Sequence, residues 1–313
     1  MTSHRADRRI TVLGSFIADV TVRTPALPRW GETVFGSHLR ISAGGKGSNQ
    51  AVAAARLGAR VSFLTALGRD AFADLARRTW LAEGVDASLC AGLDGVGTGA
   101  ATVIVHASRG ENAIVVDPGS GLHLTIEHVE RAAALIAGSA VFVTQLEVPI
   151  PVVARALAIA RAGGAITILN AAPARDLPAE VYPLCDYLTP NEVEAQQLTG
   201  VAVTTADDAA RAAEVLLSRG VGAVIVTLGA LGALVRTADL VEHVSAVDAG
   251  PVVETTGAGD AFTGALAVGL AEGMDVVRAT RFACTAAGIS VTRPGTSESM
   301  PTRAEVVRLE RPA

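Results

Sequence analysis

The chain is poor in the residues that build staples and metal centres. Its 313 residues include three cysteines, Cys90, Cys185 and Cys284. They lie far apart, are odd in number and form no CxxC, which excludes a disulfide scaffold and a zinc cluster. The six histidines form no HxxxH or HExxH pair. Aromatic residues are scarce, at 4% of the chain. The net charge is −5 and no long basic run occurs, so a nucleic-acid partner is not expected. No uncharged apolar run reaches the roughly 18 residues of a membrane span. The expectation is a soluble cytoplasmic protein.

What is present is an α/β chain of globular composition, half of it apolar. The polar start, MTSHRADRR, is expected to fray. The run after it, ITVLGSFIA, reads as a buried strand because of its β-branched residues, and not as the apolar part of a signal peptide. Short apolar runs at 10–16, 60–67, 140–146, 165–171 and 223–229 read as strands covered on both faces. Helical stretches at 48–58, 70–84 and 205–220 lie between them, each ending in Gly. Thr205 and Asp208 have the spacing of a capping box. This alternation predicts a parallel sheet with helices on both faces. Residues 17–42 and 97–116 break the rhythm with strand-like segments and no helix. The second pair turns at Ser108–Asn112. Together they predict a small separate sheet that covers a site or pairs with a copy of itself.

Several stretches could carry chemistry. In AGGKGSNQAVAAARLG, Gly44, Gly45 and Gly47 allow close backbone approach, and Lys46 and Asn49 add a cation and an amide. The competing reading is a glycine turn capping a helix. In ETTGAGDAFTGALAVGL, Gly257 and Gly259 flank Ala258 before Asp260, and a helix is expected from about Ala261. That is either an anion nest with a base in it or a carboxylate that complements the helix dipole. In TPNEVEAQQLTG, Asn191 and Glu194 have N-cap spacing, and also the chemistry to sit near a metal–phosphate complex. Asp19, Glu147 and the turn TLGALG, with Thr227 and Gly229, follow strand ends, where open α/β sheets place ligands.

Taken together, GGKGSNQAVAAARLG and TTGAGDAFTGAL resemble the two signatures of the ribokinase-like (PfkB) carbohydrate kinase family. GSFIAD, WGETV, QLEVP, NAAPAR, TPNEVEA, VTLGALG and VTRPG extend the resemblance over nearly the whole chain, and within the family it is most similar to the ribokinases. The resemblance implies a single domain over 1–313: a three-layer α/β/α sandwich with a mainly parallel sheet and a small β lid at 17–42 and 97–116. It implies an ATP-dependent kinase for a primary hydroxyl of a pentose, most simply ribose, and a homodimer through the lid. Asp260 would be the base, with Gly257, Ala258 and Gly259 forming the anion hole. Asp19, Gly45, Lys46, Asn49 and Glu147 would bind sugar. Asn191, Thr227, Gly229 and Gly259 would bind ATP, and Glu194 would act on magnesium through water. Glu254, Thr256, Ser290, Arg293, Gly295 and Ser299 match a loop for a monovalent cation, potassium. Other readings of the same residues are a kinase for 2-deoxyribose, a ketohexose or a nucleoside, or a non-catalytic sugar sensor. A dinucleotide oxidoreductase is disfavoured because no GxGxxG follows the first strand.

Three residues depart from the pattern. Ile17 stands where ribokinases carry an Asn that contacts sugar. A hydroxyl facing it loses a partner, at a cost of roughly 1–3 kcal/mol. Glu254 stands where an Asp is usual, and Cys284 where a His near adenine is common.

Overall fold

The computed structural model describes residues 8–109 and 111–310. Most of the segment expected to fray, residues 1–7, lies outside the described residues. Arg9, by contrast, opens the first strand.

The main sheet has eight strands. From one edge they run Arg60–Leu64, Arg9–Leu13, Val141–Thr144, Ile166–Leu169, Tyr187–Leu188, Ala223–Thr227, Ala233–Arg236 and Val241–Val244. The first six are parallel, and Ala233–Arg236 pairs antiparallel with the strand on either side of it. The register aligns Ile10 with Val61 on one side and Val141 on the other. The runs expected at 10–16, 60–67, 140–146, 165–171 and 223–229 all contain strands, each shorter than expected. Ala140 and Ala165 are lost at N-terminal ends, while at the C-terminal ends Gly14, Gln145 and Asn170 leave the ladder and Ala66–Leu67 pairs instead with Ala91–Gly92. Helices cover both faces, over two separate clusters of buried side chains. One cluster contains Phe16, Phe63 and Trp80, stacked edge-to-face at 5.6 and 5.1 Å around the indole. The Trp80 indole N–H is satisfied by Ser48 Oγ at 2.9 Å.

The three expected helices are Lys46–Arg56, Ala71–Ala82 and Ala206–Ser218. The Thr205–Asp208 capping box is formed reciprocally. A further helix, Ala258–Ala271, begins three residues before the expected Ala261, so Asp260 sits inside its first turn. The reason is Gly257, whose φ of 85° lets the chain enter the helix early.

The second sheet has four strands: Ser37–Gly44, Ile17–Thr24, Ala100–His106 and Asn112–Asp117. It is built from the two segments that lacked helical rhythm. Its central pair is parallel and its outer pairs are antiparallel. The turn expected at Ser108–Asn112 contains Gly110, which lies outside the described residues. Among the described residues, no helix is long and apolar enough to cross a membrane.

The helices Lys46–Arg56 and Ala258–Ala271 touch at Gly264. A Cβ there would lie 2.7 Å from Ala53 Cβ and 2.8 Å from the Gln50 carbonyl oxygen. This glycine sets how closely the two helices approach. Gly264→Ala should lower the thermal stability by about 1–3 kcal/mol through overpacking. That loss should outweigh the roughly 1 kcal/mol that alanine gains in helix propensity. A melting temperature at or above wild type would contradict this contact.

Candidate active site

Two helices that pack together each start from a glycine at positive φ. Gly45, at φ 85°, precedes Lys46–Arg56, and Gly257, also at φ 85°, precedes Ala258–Ala271. Neither start has a side-chain cap. First-turn N–H groups have no carbonyl within their own helix. Ala258 N–H bonds Thr255 O at 3.2 Å and Asp260 N–H bonds Gly257 O at 3.0 Å. Gly259 N–H has no carbonyl partner among the described residues. The Cβ direction of Gly259 points into open space. The expected nest is therefore centred on Gly259, with Ala258 N–H partly occupied.

Asp260 is buried in this turn. Its Oδ2 accepts from Asn49 Nδ2 at 2.9 Å, and its Oδ1 accepts from Gln50 Nε2, also at 2.9 Å. Burial pushes the Asp260 carboxyl above its ordinary range; Lys46 and the two amides oppose that shift, and Glu147 adds to it. Burial works against the Lys46 ammonium, but the carboxylates of Asp260, Glu147 and Glu194 prevail and raise its proton affinity. One lysine thus faces three carboxylates.

Asp19, which lies inside the strand Ile17–Thr24 instead of just past a strand end, and Glu147, which follows the strand Val141–Thr144, bring charge to the site. Glu147 accepts from the Ser15 hydroxyl and, at 3.0 Å, from Lys46 N–H. Burial pushes Asp19 up to about 6, and Glu298, Glu147 and Glu254 push in the same direction. The Thr296 hydroxyl opposes this weakly. It has one proton, and its bond to Ala43 O at 3.0 Å is shorter than its 3.4 Å approach to Asp19. Ile17 is buried on the same strand face as Asp19.

Asn191 and Glu194 form the expected reciprocal cap, at 2.9 and 2.8 Å. The cap does not remove Glu194 from the site. Burial raises its proton affinity first, the Asn191 N–H and Lys46 oppose, and Asp260 adds. Asn191 bridges to Thr227, and the 3-10 turn Gly229–Leu231 follows. Behind the Asp260 turn, Glu254 accepts from Gly295 N–H at 2.9 Å, with Gly295 at φ 91°. Ser290 and Ser299 hydroxyls donate to Ala287 O and Thr296 O, both at 2.8 Å. The Arg293 side chain turns away to Glu305, and Thr256 is exposed. Cys284 is buried in the core and carries no site contact.

The model of the pfkB family of carbohydrate kinases matches residues 7–303. The chain belongs to that family.

Similar curated members include a ribokinase of Haemophilus influenzae, 39% identical over 96% of this chain and 97% of its own. A deoxyribokinase of Salmonella typhi is 38% identical over 93% and 95%. The solved structure of Arabidopsis thaliana ribokinase with ribose and ATP superposes with a TM-score of 0.90, at 30% identity over 97% and 98% of the two chains. As a member of the pfkB family, the chain is an ATP-dependent carbohydrate kinase with the ribokinase fold.

The structure brings together residues that the motifs did not single out. Gln50, Gln145, Asn170, Thr296 and Ser297 all bond within the cluster. The available signal was position: Gln145 and Asn170 immediately follow strands of the parallel sheet, where ligand sites form.

The raised Asp19 carboxyl has a consequence for stability. Its folded value, about 6, exceeds the ordinary 3.8, so the folded state holds the extra proton between those values. Stability then falls as pH rises from about 4 to about 6, by on the order of 3 kcal/mol at most. Asp19→Asn should be more stable than wild type at pH 8, and the gain should vanish near pH 4. Parallel melting-temperature curves for the two proteins would refute it.

Proposed function

We propose that the chain transfers the γ-phosphoryl group of ATP to the 5-hydroxyl of D-ribose, giving ribose 5-phosphate and ADP. The observation that carries this reading is the buried Asp260 carboxylate beside the open N–H of Gly259 at a helix start. Relatives named ribokinase, one of them solved with ribose and ATP, support the choice of sugar and nucleotide.

In this mechanism Asp260 accepts the 5-hydroxyl proton as the oxygen–phosphorus bond forms. A carboxylate is a weak base for an alcohol, but it takes the proton only as phosphoryl transfer proceeds. Its raised proton affinity suits that role. The N–H groups of Gly257, Ala258 and Gly259 and the helix N-terminus stabilise negative charge on the moving phosphoryl group. Asp19 and Glu147 accept hydrogen bonds from sugar hydroxyls, while Lys46 and the second amide hydrogen of Asn49 donate to them. Gly45 keeps the backbone low enough for the sugar to lie against it. Thr227 and Gly229 line the nucleotide side, next to Asn191.

The excess of carboxylates over Lys46 fits a divalent cation, and Glu194, destabilised as an anion by burial, is the group such a cation would relieve. Asn191 and Glu194 would hold magnesium through water, where it would neutralise phosphate charge during transfer. The oxygen-rich loop of Glu254, Ser290, Gly295 and Ser299, with backbone from Thr256 and Arg293, fits potassium, which would stiffen the turn behind Gly257. A cytoplasmic location, where ATP is supplied, follows from this reading.

A second substrate is favoured by one residue. Ile17 offers the sugar an apolar surface beside Asp19, and a deoxyribokinase is among the similar relatives. That fits 2-deoxyribose, which lacks one hydroxyl. A coupled ADP-release assay should show turnover of ribose or 2-deoxyribose with magnesium. Asp260→Asn should fold normally and lose at least roughly 100-fold in kcat. Failure with both sugars, or an active Asp260→Asn variant, would remove this reading.

The four-stranded sheet serves as the lid over the sugar and as the dimer contact. Ile41, Val20, Thr102 and Val115 align across its four strands on the face away from Asp19. Ile41 and Val115 are more than half exposed. An apolar stripe of this kind suits a second copy of the same sheet. Sedimentation should show a dimer for the wild type and a monomer for the Ile41→Glu/Val115→Glu double variant. A wild-type monomer would refute this contact.

A further inference from the structure

Asp260 does not stand alone in its pocket. Its Oδ1 is held by Gln50, a fully buried side chain that bonds on both ends. Gln50 Nε2 donates to Asp260 Oδ1 at 2.9 Å and to Asn170 Oδ1 at 3.1 Å. Gln50 Oε1 accepts from Gln145 Nε2 at 2.6 Å. Asn170 Nδ2 donates to Thr189 O at 2.8 Å.

The direction of every bond in this chain follows from one backbone atom. A carbonyl oxygen only accepts, so Asn170 must turn its NH₂ toward Thr189. Its Oδ1 then faces Gln50, which must present its NH₂. That NH₂ has two hydrogens, and the second one goes to Asp260. Gln50 Oε1 is left facing Gln145, which must donate in turn. Flipping any amide in the chain would set donor against donor or acceptor against acceptor in a buried site. The backbone is shaped around the outer end of this chain. A Cβ on Gly14 would overlap Gln145 Oε1, so a glycine directly after the first strand leaves room for the relay.

We propose that Gln50 is a positioning residue for Asp260, oriented by Asn170 and Gln145 so that it always offers an N–H to the carboxylate. This rests on Asp260 acting as the base. Together with the Asn49 bond to Oδ2, the Gln50 bond to Oδ1 fixes the carboxylate rotamer. It also favours the charged form of Asp260 against the burial that raises its proton affinity. The other charged groups facing Asp260 are Lys46, which favours its charge, and Glu147 and Glu194, which oppose it.

The test compares wild type with Gln50→Leu and with Gln145→Leu, which touches Gln50 without reaching Asp260. Loss of the Gln50 donor should move the acid limb of the kcat profile up by about one pH unit and lower kcat at pH 7 about tenfold. The KM for ATP should stay within about twofold, since only the base is disturbed. Gln145→Leu should shift the limb in the same direction by less. A folded Gln50→Leu variant with the wild-type acid limb and kcat would overturn the proposal. A readout on unmodified protein guards against variants that fail to fold. With selectively labelled glutamine, the Gln50 side-chain amide resonance should titrate at the pH of the wild-type acid limb, and a flat resonance across that limb also overturns it. If Asp260→Asn remains active, the reading of Asp260 as base fails; if it is inactive and the limb ignores Gln50, only the positioning role fails.

Discussion

A carboxylate out of water must be compensated by its surroundings, and much of the site is arranged around that requirement at Asp260. Isolated burial of the charge would cost far more than a fold can spare. The compensation comes from two amides, one ammonium and the start of a helix. Two amides and the ammonium belong to the helix Lys46–Arg56, while Asp260 belongs to Ala258–Ala271. The distance between the two helices is therefore an electrostatic variable as well as a packing one. Gly264 fixes it with a backbone contact where any side chain would intervene.

The parallel sheet supplies the remainder. Gly14, Gln145, Asn170 and Thr189 all follow directly after strands that lie side by side. Strand ends at one edge of a parallel sheet are close in space though far apart in sequence. That is how residues over a hundred positions apart, such as Gln50 and Asn170 or Asn49 and Ser297, come to share hydrogen bonds. The two buried clusters behind them hold the sheet rigid, so the polar groups in front sit on a firm base.

Much of this was legible in the sequence, for identifiable reasons. Buried parallel strands announce themselves as short continuous apolar runs, and the reciprocal caps at Thr205 and Asn191 follow from local spacing alone. The glycine turns ahead of Lys46 and Ala258 were visible because glycine is the residue that enters a helix from left-handed φ at low cost. The strands Ala233–Arg236 and Val241–Val244 were not legible, since short antiparallel strands lack a distinctive period. The helix start at Ala258 was placed late because Asp260 looked like a residue preceding the helix. Gln50, Gln145 and Asn170 carried no local signal of their bonds: an amide inside a helical stretch or a strand run does not show what it faces until the topology is known.

Thr296 and Ser297 occupy successive positions but look in different directions. The Thr296 hydroxyl rests on the Ala43 carbonyl, in the strand beside Asp19, and the Ser297 hydroxyl rests on the Asn49 amide that grips Asp260. A single peptide unit therefore ties the four-stranded sheet to the amide that holds Asp260. Mechanically it is placed as a rocker: one end bears on the small sheet, and the other bears on the amide bound to the carboxylate.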